Sequence, residues 1–201
     1  MAAHLAGVLV RLKEAEGLDV IRGAEGEAAR AYFGAFGYTL RAGPDFGFDT
    51  RSRRPPRDRV NAIISFLYAL LRTECASALG AAGLDPQVGY LHALRPGRPA
   101  LALDLMEEFR PLLADRLAVT LVNRRQLRAV HFEPLPGGAV QFTSEGRRLL
   151  IGAYQQRKEE LVAHRLLRQR VPRGLLPHVQ VRLLARCLRG DLPHYPPFIA
   201  R

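Results

Sequence analysis

The sequence has no tryptophan and only two cysteines, Cys75 and Cys187, among 201 residues. The two cysteines lie far apart and lack CxxC spacing, which argues against a disulfide framework and against a zinc site. The chain does not open with a charged segment followed by a signal-peptide core, and we expect no apolar run to span a membrane. These absences predict a soluble, cytoplasmic protein whose thiols are buried.

Lysine is also scarce, since Lys13 and Lys158 are the only two among 30 basic residues. With 19 acidic residues, the net charge is +11. A guanidinium group is planar and matches phosphate oxygens, so an arginine-rich charge of this size favours nucleic acid as the partner. A compositional bias of the coding genome would explain arginine in place of lysine, but it would not explain the excess of positive charge.

The spacing of apolar residues predicts an all-α fold, that is, a mainly helical domain with at most one small β-hairpin. Helices are expected at 5–16, 18–36, 58–82, 104–122, 144–170 and 179–188. The segment 58–82 is apolar on nearly all sides, which is typical of a central buried helix. The hairpin is expected where 130–133 and 140–142 flank a Pro-Gly-Gly turn.

A histidine and two carboxylates stand on either side of an Arg-Pro-Gly-Arg-Pro turn. His92 precedes the turn, and the apolar run after it carries Asp104 and Glu107. In a helix these two carboxylates would lie one turn apart on the same face. An imidazole and carboxylates held at a fixed spacing suit a divalent cation. The spacing leaves open the alternative of a structural histidine and of acids that pair with arginines.

Two glycines, Gly23 and Gly26, flank Glu25 inside a predicted helix that Asp19 could cap. Each glycine costs a helix about 1 kcal/mol relative to alanine. Two explanations are open. Another backbone or a ligand comes close beside Glu25, or the glycines mark a break between two short helices.

The densest basic cluster lies in the Gly- and Pro-rich loop 37–56 and the residues that follow it. The length of this loop is typical of a functional or mobile loop, although a run of charge is often only a solvated face. Because Pro-Pro-Arg-Asp leads directly into a helix, we expect the arginines to lie near its N-terminus. Four of them are predicted to contact a DNA backbone: Arg53, Arg54, Arg57 and Arg59.

The segment Arg22-Gly23-Ala24-Glu25-Gly26, followed by Ala29 and Tyr32-Phe33, resembles a motif of a known family. The family is that of the CRISPR-associated endonuclease and integrase that acts in spacer acquisition, the universal first member of the CRISPR-associated proteins. Further segments resemble the same family in order along the chain: Arg-Arg-Pro-Pro at 53–56 with Val60-Asn61 and Tyr68, then 83–92, 104–111, 182–186 and 195–198. The resemblance therefore covers nearly the whole sequence.

The resemblance implies a helical metal-dependent nuclease and integrase domain over residues 1–201. It implies Glu25, His92 and Glu107 as ligands of Mg²⁺ or Mn²⁺, with Asp104 as a further catalytic position close to them. The substrates implied are double-stranded and branched DNA. The partner implied is the family's small ferredoxin-like CRISPR adaptation protein. Full-length members form homodimers through an N-terminal β-rich domain, and this sequence begins just before the helical domain, as expected of a truncated or split member or a fragment.

Two other functions remain open on the sequence alone. In the first, the chain is a non-enzymatic DNA-binding module, with the hairpin at 130–142 as a small wing beside a basic helix. Glu25, His92 and Glu107 would then be ordinary structural residues. In the second, the chain is an interaction subunit whose basic faces bind an acidic partner protein.

Overall fold

The computed structural model describes residues 2–41 and 43–199. The α-helices are α1 (Ala2–Lys13), α2 (Leu18–Phe36), α3 (Arg59–Ala81), α4 (Ala100–Met106), α5 (Arg116–Asn123), α6 (Ser144–Glu159) and α7 (Leu176–Leu188). A π-helix, Arg110–Asp115, leads into α5. The strands β1 (Phe132–Pro134) and β2 (Val140–Phe142) form one antiparallel pair, and β3 (Leu161–His164) and β4 (Gln169–Pro172) form another. The described residues thus confirm a mainly helical fold.

The central helix is α3, which packs against α4, the π-helix and α7. Its apolar side chains with no exposed surface are Val60, Ile63, Ile64, Leu67, Leu71, Cys75 and Leu79. By length and composition alone this helix could cross a membrane. By that criterion, the expectation that no apolar run is long enough to span a membrane was wrong. Its place in the core accounts for its apolar composition. Of the two thiols, Cys75 is buried as expected, whereas Cys187 is only half-buried.

Both ends of α3 are set by local hydrogen bonds. Asp58 caps its start, because the carboxylate accepts from the Asn61 amide at 2.7 Å. At its end the Leu84 amide donates to the Leu79 carbonyl at 3.0 Å, and Gly83 has φ +75°. This is the Schellman arrangement, which needs a residue that tolerates positive φ. The predicted boundaries of this helix are therefore confirmed.

The helix α6 is shorter than predicted. Thr143 caps it by accepting from the Gly146 amide at 3.1 Å, as expected. The helix ends at Glu159 instead of near residue 170, and a second hairpin, β3–β4, follows it. The four-residue turn between these strands places Arg168 at φ +52° and contains neither glycine nor proline. The fold therefore has one more hairpin than the sequence predicted.

The predicted helix at 104–122 is divided into three parts. It begins earlier, at Ala100, and α4 ends at Met106. A turn then leads into the π-helix, in which Pro111 occupies the first turn. A proline inside a helix favours a break, and the break is present, but it falls before Pro111. Local π-helical segments occur frequently at functional sites, and this one begins three residues after Glu107.

Asn61 fastens the arginine-rich loop to α3. Its side chain is fully buried. The carbonyl oxygen accepts from Arg51 Nη1 at 2.7 Å and from the Ser52 amide at 2.9 Å. The amide nitrogen donates to the Thr50 carbonyl at 2.8 Å. One side chain thus pairs polar groups of three consecutive loop residues.

We expect Asn61→Ala to lower the free energy of unfolding by about 3 kcal/mol, because buried polar groups lose their partners. Urea denaturation followed by circular dichroism measures the change. Gln155→Ala, at an exposed position of α6, is the control and should change stability by no more than about 0.5 kcal/mol. Equal losses in the two variants would contradict this role of Asn61.

Candidate metal centre

The structure brings together the three side chains that the resemblance implied as ligands. Glu25 comes from α2, His92 from the loop before α4, and Glu107 from the residue that follows α4. One ligand atom from each lies within 4.8 Å of the others, and all three residues are half-buried. Asp104 is not part of this cluster.

Asp104 instead holds the loop that carries His92. Its carboxylate accepts from the backbone amides of Tyr90 at 2.6 Å, Leu91 at 3.0 Å and His92 at 2.9 Å, and it lies 2.6 Å from His92 Nδ1. Burial alone would raise the pKa of Asp104, but these hydrogen bonds outweigh it and hold the pKa below its ordinary value. Because an ionised carboxylate only accepts, Nδ1 carries the proton, and Nε2 keeps the lone pair that a cation needs.

Gly89 allows the His92 loop to lie directly on α4. A Cβ atom at this position would stand 2.6 Å from the backbone carbonyl carbon of Ala100 and 2.8 Å from a carboxylate oxygen of Asp104. Any side chain would therefore push the loop away and lengthen the hydrogen bonds that orient His92. The glycine is required by close approach.

The helix α2 is fixed on both sides of Glu25. One turn before it, Arg22 Nε donates to the Leu91 carbonyl at 2.6 Å. Two turns after it, the Tyr32 hydroxyl donates to Asp115 at 2.9 Å. Residues three, four and seven apart share a helix face, so these two anchors set the rotation of α2 that turns Glu25 toward the cluster.

The structure shows neither a close backbone nor a helix break at Gly23 and Gly26, the glycines beside Glu25. A Cβ atom added at Gly23 or Gly26 would meet no described atom within 4 Å. The explanation by a close backbone is therefore wrong, and so is a break, because α2 is continuous through both positions. The N-cap is Gly17, without a side-chain cap, so the expectation that Asp19 caps the helix is also wrong.

Glu107 has one oxygen paired and one oxygen free of protein partners. Oε2 accepts from Arg110 Nη1 at 2.6 Å, whereas Oε1 is buried and has no hydrogen-bond partner among the described residues. Burial raises the pKa of Glu107 to about 7; the Arg110 charge offsets part of this rise and the Glu25 carboxylate adds to it. An unpartnered carboxylate oxygen beside a second carboxylate and an imidazole nitrogen suits Mg²⁺ or Mn²⁺. The residues present therefore fit such an ion.

The arginines predicted to contact DNA fall into two groups. A cavity of about 250 Å³ is lined by five arginines, Arg51, Arg53, Arg54, Arg72 and Arg110, and Arg110 places it next to Glu107. Arg57 and Arg59 line a different cavity, of about 550 Å³, together with acidic residues. There Arg59 Nη1 donates to the Asp45 carbonyl at 2.6 Å. Only the first pair, Arg53 and Arg54, thus lies beside the candidate metal centre.

Sequence reasoning assigned no role to Arg51, Arg110 and Asp115, which lie beside the site. Arg110 and Arg51 lie 4.7 Å and 5.6 Å from the centre of the Tyr68 ring. The Tyr68 hydroxyl donates to the buried Asp115 at 2.8 Å. Burial raises the pKa of Asp115, and hydrogen bonds from two tyrosine hydroxyls oppose the rise. Two features of the sequence could have indicated these roles: the three-residue spacing of Glu107 and Arg110, and the position of Asp115 inside an apolar run.

We expect Asp104→Asn to weaken Mn²⁺ binding about 10- to 100-fold, the usual cost of losing the outer partner of a metal-binding histidine. The NH₂ group of asparagine cannot accept a hydrogen bond, so it would face N–H groups that Asp104 now binds. Hydrogen bonds that orient His92 would be lost. Calorimetric titration with Mn²⁺ measures the affinity. Asp191→Asn, at an exposed carboxylate paired with Arg189, is the matched control. Equal affinity in both variants would show that Asp104 does not orient the ligand.

The sequence matches known proteins along most of its length. A family model described as CRISPR associated protein Cas1 matches residues 1–156. A CRISPR-associated endonuclease Cas1 of Rhodospirillum rubrum is 57% identical over 185 residues, which cover 92% of this chain and 54% of that protein. The chain spans about half the length of the curated relatives that it matches first.

Solved structures share the fold described above. A Cas1 protein from Thermotoga maritima has a TM-score of 0.85 and 32% identity, over 94% of this chain and 58% of that chain. A casposase bound to its integration product has a TM-score of 0.87 over 96% of this chain and 55% of that chain; at 24% identity it shows the fold alone. The resemblance in the sequence motifs is therefore confirmed, and the chain belongs to the Cas1 family of CRISPR-associated proteins.

Proposed function

We propose that this chain carries the catalytic helical part of a metal-dependent DNA endonuclease and integrase that joins new spacer DNA into a CRISPR array. One observation carries the proposal: Glu25, His92 and Glu107 converge within 4.8 Å, and Glu107 has a buried oxygen without a partner. Oxygen and imidazole donors favour Mg²⁺ or Mn²⁺. The similarity to proteins named Cas1 endonucleases supports the reaction class.

Each residue of the site has a separate task in this proposal. Glu25, His92 and Glu107 would hold a divalent cation, which would supply Lewis acidity toward a phosphodiester and would stabilise charge on the attacking or leaving oxygen. Arg110 occupies one oxygen of Glu107, which directs the other oxygen into the cluster. Asp104 keeps the proton of His92 on Nδ1. The chain's own residues therefore bind the ion and fix the direction of its ligands.

The attacking group in the proposal is a DNA 3′-hydroxyl, and no protein nucleophile is needed. The 3′-hydroxyl releases its proton to water as its oxygen bonds to phosphorus, the phosphorus–oxygen bond to the leaving strand breaks, and the leaving oxygen takes up a proton from water. The hydroxyls of Tyr32 and Tyr68 donate to Asp115, and burial, followed by that neighbouring charge, raises the pKa of both. Ser65 accepts from Arg51, and Cys75 is fully buried. These contacts argue against a covalent intermediate on any of them.

The proposal also covers the substrates, the partner, the oligomeric state and the location of the protein. Branched and double-stranded DNA are the substrates, and the small ferredoxin-like CRISPR adaptation protein is the partner that the family resemblance implies. Homodimerisation follows from the resemblance as well, and a cytoplasmic location is part of the same proposal. The chain matches about half of its relatives' length, so activity of the helical part alone is what the first experiment tests.

We expect the chain to cleave and join strands of a branched DNA in Mn²⁺ but not in EDTA, and we expect His92→Ala to lower the rate at least about 100-fold. Gel analysis of labelled strands measures both products. His194→Ala, at an exposed histidine, is the matched control and should retain the original rate.

Three results would contradict this proposal. Turnover that survives in His92→Ala would place the chemistry elsewhere. Salt-sensitive DNA binding, with no turnover in the original chain and no effect of His92→Ala on affinity, would identify a non-enzymatic DNA-binding module. Binding that depends on an acidic protein instead of DNA would identify an interaction subunit.

The arginine cavity yields a separate prediction. We expect Arg54→Gln to weaken DNA binding and to reduce the slope of log K against log salt by about 1, because one phosphate contact is lost. Arg59→Gln should leave the slope unchanged, because Arg59 is engaged by Asp45. Anisotropy titrations of labelled DNA at several salt concentrations measure both slopes. An equal change in the two variants would contradict a special role for the cavity beside Glu107.

A further inference from the structure

The last described residues pack against the turn from which Glu107 reaches the candidate metal centre. We name residues 195–198, Tyr-Pro-Pro-Phe, the tail clamp. The tail clamp contacts Glu108 and Phe109, the two residues that follow Glu107. The proposed reaction assigns no task to these contacts.

Glu108 is the polar anchor of the tail clamp. Its Oε1 accepts from the Tyr195 hydroxyl at 2.5 Å, and its Oε2 accepts from the Phe198 amide at 2.7 Å. Gln180 Nε2, from α7, lies 3.1 Å from the same Oε2. Hydrogen bonds to an ionised carboxylate are short and about twice as strong as neutral ones. All three donors come from residues 180–198, so the C-terminal part of the chain holds this carboxylate.

Gln180 is the second anchor, and it is itself fixed in direction. It is fully buried, and its nitrogen lies 3.0 Å from the Pro196 carbonyl. Its oxygen lies 3.0 Å from His164 Nε2, while His164 Nδ1 accepts from the Leu167 amide. Since Nδ1 accepts, Nε2 carries the proton and donates to Gln180. The network thus extends from Glu108 through α7 to the β3–β4 hairpin.

An apolar contact completes the tail clamp. Phe198 is 7% exposed, and its ring centre lies 6.4 Å from that of Phe109 and 5.8 Å from that of His164. Phe109 has no exposed surface. The neighbouring Ile199 is 66% exposed. Of these two neighbouring residues, only Phe198, which faces the turn after Glu107, is buried.

The backbone at 107–109 needs such support because it belongs to no regular helix. The helix α4 ends at Met106, and the π-helix begins at Arg110. Between them, the amides of Glu107 and Phe109 donate three residues back, to Asp104 and Met106, at 3.3 Å and 3.0 Å. A short turn of this kind is less well fixed than the interior of an α-helix.

We propose that the tail clamp is a positioning element of the metal centre, which holds Glu108 and Phe109 so that the turn presents Glu107 to the ion. The inference rests on the proposed function and adds Tyr195, Gln180 and Phe198 as positioning residues. None of the three belongs to the candidate metal cluster. They act through the backbone of the residue that does bind.

Tyr195→Phe is the first test, because it removes one hydroxyl and keeps the ring. Glu108 Oε1 loses its donor, and the turn is free to shift. We expect Mn²⁺ affinity, measured by calorimetric titration of the 201-residue chain, to fall about tenfold, the lower end of the effect of outer partners on metal sites.

Two controls separate positioning from a general loss of stability. Tyr38→Phe makes the same chemical change at a tyrosine that is 91% exposed, and it should leave Mn²⁺ affinity unchanged. Leu127→Ala opens a space at a residue that is 1% exposed. It should lower the Tm at least as much as Tyr195→Phe does, without weakening Mn²⁺ binding.

The outcomes distinguish this inference from the proposed function. If the original chain binds no Mn²⁺, both are overturned. If it binds Mn²⁺ and Tyr195→Phe binds equally well, only the positioning role of the tail clamp is overturned. A loss of affinity in Leu127→Ala as large as that in Tyr195→Phe also overturns it, because the effect would then follow stability. A loss confined to Tyr195→Phe supports it.

Discussion

A single buried carboxylate, that of Asp115, joins the helical segments that carry the site. Tyr32 from α2 and Tyr68 from α3 both donate to it, at 2.9 Å and 2.8 Å, and Asp115 itself ends the π-helix. A buried carboxylate persists only with partners of this kind. Because Arg51 and Arg110 lie beside the Tyr68 ring, the same group also stands close to two guanidinium groups. The position of α2 and the arginine cavity thus depend on one electrostatic support.

The carboxylates of the site differ in how fully their oxygens are paired, and this difference separates their tasks. Asp104 accepts three backbone amides and lies against His92 Nδ1, so it has little capacity left for an ion. Glu107 has one oxygen on Arg110 and one buried oxygen without a protein partner. A satisfied carboxylate stabilises the loop around it, whereas an unsatisfied one has free energy to gain from a cation. The hydrogen bonds therefore separate a supporting carboxylate, Asp104, from a candidate ligand, Glu107, which the spacing alone did not distinguish.

Local patterns predicted α3 correctly, because a long apolar run begins directly after Asp58. The second hairpin was missed because its turn relies on Arg168 at positive φ, where the usual signal is glycine or asparagine. The three candidate ligands were named from the family resemblance, since no local rule connects positions 82 residues apart. The role of Asp115 was missed for the same reason: its partner Tyr32 is 83 residues away. Contacts between distant segments depend on packing, which a single sequence shows poorly.

Three consecutive residues after α4 illustrate how packing produces the site. Glu107 faces the cluster, Glu108 faces the C-terminal residues, and Phe109 is fully buried in the core. Successive side chains of a helical turn point about 100° apart, so such a triplet has partners on every side only if the chain surrounds it. Here Glu25 of α2 stands beside Glu107, and the C-terminal segment contacts Glu108 and Phe109. A Glu-Glu-Phe sequence, which alone would suggest an exposed acidic turn, is therefore held by two distant parts of the chain, and a candidate metal ligand needs its direction fixed in this way.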